Sequence, residues 1–163
     1  MKNLNLQGQC GRSASSASPI VQFIYRIASA VLACALSLNI SVVRADVVAV
    51  VSSKSQITTL SKNQVIDIFL GKRTRFPDGS SAIPIDQAEG SAARDEFYTR
   101  LADMSPAQVK AFWARIIFTG RGQPPKTVAT GLEAKRLLIA DPNTIGYIDQ
   151  SLVDSSVRVV LAP

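Results

Sequence analysis

The chain has 163 residues, with 18 Lys and Arg against 12 Asp and Glu, two cysteines and no histidine. Lack of histidine excludes Ser-His-Asp triads and imidazole-based zinc sites. Four of the basic residues and both cysteines, Cys10 and Cys34, precede Asp46, so the remaining 118 residues carry only +2 and no thiol.

Overall basicity is therefore no argument for a nucleic-acid partner, and disulfides are excluded after Ala45. Lys2, Arg12 and Arg26 are the only charges ahead of a mostly apolar run from Ile27 to Val43. Val43-Arg44-Ala45 then places small or modest side chains where a signal peptidase reads. The pattern predicts a secretory signal over residues 1–45, cleaved between Ala45 and Asp46, and a periplasmic product. An uncleaved anchor is the alternative, but about 17 apolar residues are marginal for a span. No second hydrophobic segment follows. Cys34 reads as an ordinary cysteine of the apolar run rather than a lipoprotein attachment site, because the run continues past it. Residues 46–163 are enough to bury one core, so a single domain is expected.

"DVVAVVS" (46–52) is a β-branched run and predicts a buried strand. Ser61-Lys62-Asn63-Gln64 has capping-box spacing, and the helix it opens carries Val65, Ile66 and Phe69 before Leu70-Gly71 ends it. "KRTRFPDGSS" is a basic loop with a turn signal. "AIPID" (82–86) predicts a second strand, with Pro84 marking an edge or a strand end. From Ser91 the pattern is helical, with Ala93, Phe97 and Leu101 on one face. Ser105-Pro106-Ala107-Gln108 opens another helix, whose Val109, Phe112, Trp113, Ile116 and Ile117 predict a broad core stripe. "TGRGQPPKT" reads as a stiff loop. Thr130-Gly131-Leu132-Glu133 predicts a third capping box and a helix to about Ala140, with Leu132, Leu137 and Leu138. "TIGYID" and "VRVVL" close the chain as strands. Alternating strands and helices of this kind predict an α/β fold, a small mixed sheet flanked by helices.

No arrangement of nucleophile, base and orienting group emerges, so the chain is expected not to be an enzyme. Asp95 and Glu96 point to different helix faces, and Asp141, Asp149 and Asp154 lack metal-ligand spacing; neither metal nor cofactor is expected. The junction "IPIDQAEGSAARDEFY" (83–98) is different. A strand that crosses Gly90 into a helix leaves unpaired N–H groups, and the positive end of the helix dipole, at one point. Gly90 allows close approach, Ser91 adds a hydroxyl and its amide, and Ala92 and Ala93 add amides. Arg94, one turn in, is expected to fold back and supply countercharge to a bound oxyanion. Ser91 as a plain N-cap is the competing reading. The basic loops "GKRTRF" (71–76) and "TGRGQPPK" (119–126) read either as solvated charge or as a surface for an acidic partner. Trp113 and Tyr147 read as core.

"DQAEGSAARDEF" resembles the "DGSGT" helix start of periplasmic phosphate-binding proteins of ABC transporters, which have the type II solute-binding fold. "IFLGK" (68–72) and "IGYID" (145–149) resemble their neighbouring segments in the same order, so the resemblance runs from about Val47 to Asp149. It implies the fold of roughly one lobe and a small oxyanion, phosphate first, held by Gly90, Ser91, Ala92, Ala93 and Arg94. A transporter permease or another envelope protein is the partner it implies. The family's Ser-Gly-Thr reads Ser91-Ala92-Ala93 here, and Gln87 stands where the family has a clamping arginine. The other reading is a protein-interaction or sensory module that keeps this fold without ligand capture and meets a partner through the basic loops.

Overall fold

The computed structural model describes residues 46–162, and the leader expected over 1–45 lies outside them. Strand β1 (Val47–Ser52) is buried at all six positions. It runs antiparallel to β4 (Thr144–Asp149) on one side and to β5 (Val157–Leu161) on the other. Its alternate side chains enter two different cores. Val47, Ala49 and Val51 face one, while Val48 and Val50 face the other. That is why the run is continuously apolar instead of alternating.

The five-stranded sheet has the order β3-β2-β4-β1-β5. Strand β2 (Ile83–Gln87) lies parallel to both β4 and β3 (Lys126–Val128). The sheet is mixed, and the α/β expectation holds. Pro84 sits opposite Ile145 of β4, whereas β3 begins only opposite Ile85. The proline therefore marks the end of a strand that is otherwise internal.

One face of the sheet is covered by α1 (Lys62–Phe69), α2 (Ala92–Ala102) and α3 (Pro106–Phe118). Val65, Phe69, Phe97, Leu101, Val109 and Trp113 from these helices pack on Ile145 and Tyr147. The opposite face is covered by α4 (Gly131–Ala140), whose Ala134 and Leu138 pack on Ile85, Val128 and Ile148. A Cβ on Gly146 would lie 3.3 Å from Leu138 Cδ1, so the glycine of "IGYID" lets α4 close onto β4. None of the described helices is long and apolar enough to cross a membrane.

The local helix signals are realised to different degrees. Ser61 and Gln64 form a reciprocal capping box, as do Ser105 and Gln108. At α4 the box is half made. Thr130 Oγ1 accepts from Glu133 N at 3.2 Å, but Glu133 Oε2 reaches past the cap to Ala129 N. Ser105→Ala is expected to lower stability by about 1 kcal/mol, read from urea denaturation, since it takes the Oγ acceptor away from the Gln108 N–H.

The apolar stripe of α3 is narrower than expected. Val109 and Trp113 are buried, but Ile117 is 55% exposed, and Leu132 of α4 is likewise half-exposed. Ile117 lies one residue beyond Ile116, about 100° round the helix, and this rotates it off the sheet. Strand β3 begins within the segment expected as loop and ends one residue beyond it. It spans three residues of which only Val128 is buried, too few to show a period.

Candidate ligand site at the start of the second helix

Strand β2 ends in three buried residues, Ile85, Asp86 and Gln87. The chain then turns through Gly90, whose φ of +83° falls in the left-handed region. A Cβ there would meet nothing within 4 Å, so glycine is needed for conformation and not for space. Ser91 is the N-cap of α2: its Oγ accepts from Arg94 N at 3.3 Å. The N–H groups of Ala92 and Ala93 have no acceptor among the described residues, as expected of first-turn amides.

Arg94 reaches inward. Its Nε lies 3.0 Å from Asp86 Oδ2, and the two side chains are 11% and 4% exposed. The Asp86 carboxylate also accepts from Tyr98 OH at 3.1 Å, from Tyr147 OH, and from Gln87 N at 2.8 Å. Its oxygens are thus well satisfied, as a buried charge requires. The guanidinium also lies over the Tyr98 ring, 5.3 Å from its centroid. Burial opposes the charge of Arg94, but Asp86 outweighs it and its pKa is raised. Burial raises both tyrosine pKa values well above the ordinary value, and the negative charge of Asp86 raises them further. Phe97 stacks on Tyr147 at 4.0 Å, which ties the network to the aromatic core.

Gln87 is also committed to the fold. It is 4% exposed, and its Nε2 donates to Tyr147 O at 3.0 Å. At the helix start itself, Asp95 lies in the first turn, where a carboxylate already takes up part of the positive helix end. Glu89 pairs with Lys110 at 2.9 Å, and that lysine holds the Glu89 carboxyl below its usual range. The cationic charge near Gly90 and Ser91 is therefore already matched by carboxylates. What stays open is neutral: two amides and a serine hydroxyl.

The topology nevertheless picks out this place. From β2 the chain passes to α2 on one face of the sheet; from β3 it passes to α4 on the other. The helix starts at Ser91 and Thr130 thus flank a crevice beyond the carboxyl ends of two parallel strands. Such a switch point is where open α/β sheets hold ligands. A cavity of about 360 Å³ adjoins it, lined among others by Gln87, Arg94, Lys110, Trp113 and Thr127. Among the described residues no group of three metal-ligating side chains comes together.

Gly90 and Ser91 form the turn and cap before Ala92 to Arg94 open the helix, but two expected roles change. The Arg94 guanidinium pairs with Asp86, and the Ser91 amide is taken by Ala88 O at 3.1 Å. The hub beneath them, Asp86 with Tyr98 and Tyr147, was not expected. An acidic residue closing an apolar strand was its one visible signal, because a buried charge demands a partner.

The fold, a mixed five-stranded sheet flanked by helices, is like that of periplasmic-binding-protein-like domains. Among solved structures, the chain is similar to a phosphate ABC transporter substrate-binding protein with bound phosphate from Clostridium perfringens, with 21% identity and a TM-score of 0.57. It is also similar to an ABC-type phosphate transport receptor from Vibrio cholerae, with 18% identity and a TM-score of 0.56. A third is PstS from Borrelia burgdorferi, with 12% identity and a TM-score of 0.52. Each comparison covers 71% of this chain but only 44%, 45% and 46% of the respective neighbour, so the chain spans less than half of each. At these identities the likeness is one of fold. No family model and no curated protein matches the chain.

Proposed function

We propose that the chain is a non-enzymatic periplasmic module that holds a small oxyanion, phosphate first, at the start of α2. The observation that carries this reading is the placement of the free Ala92 and Ala93 amides at the crevice where the connections from β2 and β3 diverge. Phosphate comes first because the similar solved structures are named for it. Ser91 would donate its hydroxyl proton to the anion while its oxygen stays on the Arg94 amide. Arg94 would act mainly by holding the turn, because its charge is matched by Asp86. With the leader removed after Ala45, the product would meet a transporter permease in the envelope.

Three neutral donors at about 1 kcal/mol each, plus a dipole contribution of under about 1 kcal/mol, correspond to binding in the millimolar range. Calorimetry of the purified protein is expected to show phosphate binding there, with acetate weaker. Ala92→Asp is expected to abolish binding without lowering the melting temperature, because a first-turn carboxylate suits the helix while occupying the anion's place. Absence of heat and of any thermal shift at about 10 mM phosphate would overturn the reading. Phosphate binding that survives Ala92→Asp would move the site elsewhere.

A second reading, a protein-interaction module, is favoured by one observation. Both basic loops, 71–76 and 119–126, border a single apolar groove.

A further inference from the structure

The groove exists because β3 starts late. Ile83 and Pro84 have no β3 partner, and α3 and the 119–126 loop form the opposing wall. It encloses about 580 Å³ above Ile83, Phe112, Trp113 and Ile116. Pro124 and Pro125 stiffen one side. The rim carries Lys72 and Arg73 from one loop and Arg121 and Lys126 from the other, and no carboxylate lines it. Lys72 and Arg73 reach back to Asp67 at 3.7 and 3.5 Å, in exposed pairs that hold them weakly. Arg121 and Lys126 have no ion-pair partner among the described residues. Apolar surface is also uncovered within the groove, where Ile83 is 42% exposed.

We infer that this groove docks an acidic segment of a partner protein, one that inserts a bulky apolar side chain between flanking carboxylates. The inference rests on the interaction-module reading and names the partner's chemistry. Cations from two loops on either side of an apolar floor complement such a segment at both its ends and its centre. A concave floor suits an inserted side chain, whereas a lipid surface would need a protruding apolar face. A nucleic acid would use the cations but leave the floor empty, since Trp113 is too buried to stack on a base. The exposed Arg73 and Arg121 and the half-buried Phe112 are residue types enriched at interface centres.

The test is fluorescence polarisation of the purified protein with a labelled peptide of about ten residues, phenylalanine and leucine set between aspartates. A matched peptide has lysines in place of the aspartates. Saturable binding of the acidic peptide is expected, weakened at least about tenfold by Arg121→Glu with Lys126→Glu and by high salt. Ile83→Ser should weaken it too, while phosphate calorimetry stays unchanged in all these variants. Circular dichroism melts confirm that they fold. Equal or tighter binding of the lysine peptide would overturn the acidic partner but keep an interaction module. No binding of either peptide would overturn both. Preferential binding to phosphatidylglycerol vesicles or to single-stranded oligothymidine would replace the protein partner with a membrane or a nucleic acid.

Discussion

Asp86→Ala is expected to cost about 3–5 kcal/mol of folding stability, the usual loss when one member of a buried ion pair is removed. The change strands the Arg94 guanidinium, 11% exposed, with no carboxylate. It also removes the acceptor of the Tyr98 and Tyr147 hydroxyls and one of the two acceptors of the Gln87 amide, which keeps Tyr147 OH at 3.1 Å. Domains are stable by only about 5–15 kcal/mol, so the variant should sit near the folding threshold. Arg94→Met should cost less than Asp86→Ala, because the aspartate keeps three uncharged donors. The double variant should cost less than the sum of the two, since the second change removes a charge the first left unpaired. Urea denaturation of the four proteins gives the cycle. A loss below about 1 kcal/mol for Asp86→Ala would mean that the pair is not buried in solution.

The same hub predicts a steep loss of stability in alkali. Tyr98 and Tyr147 are held neutral because burial first, and Asp86 second, push their ionisation far above the ordinary value of 10.0. In the unfolded chain both release their protons near that ordinary value. Above pH 10 the native state therefore binds more protons than the unfolded state, and stability falls as pH rises; below pH 10 the contribution is fully present. Two such groups give a slope approaching about 2.7 kcal/mol per pH unit. Tyrosinate absorbance should appear together with the loss of circular dichroism, in one cooperative step. Tyr147→Phe should halve the slope, although it also lowers stability at neutral pH. Tyrosinate signal growing gradually in a folded protein would show that water reaches the hub.

How far the residues disclose this arrangement depends on the range of the interactions. Strands β1 and β4 are legible because both faces of each are covered, so β1 is apolar up to its last residue and β4 carries Ile145, Tyr147 and Ile148 between polar ends. Capping at Ser61 and Ser105 is legible because donor and acceptor lie three residues apart. Gly90 and Ser91 belong to the same local class, and the turn and the cap are found as expected. The fate of Arg94 is not local. Which way its guanidinium points depends on Asp86, across the turn, and on Tyr147, which reaches the same carboxylate only because β4 pairs with β2. Likewise the two basic loops are far apart in the chain, and only the packing of α3 brings them to one groove. Strand β3 is hidden because two of its three side chains are exposed.

The central claim is that the start of α2 is an anion seat, and amide nuclear magnetic resonance tests it most directly. Titrating phosphate into the ¹⁵N-labelled protein should move the amide signals of Gly90, Ser91, Ala92, Ala93 and Arg94 along one saturable curve, with the loop around Arg121 unchanged. If those five signals stay still while phosphate moves the Arg121 and Lys126 region, or moves nothing, the claim is wrong.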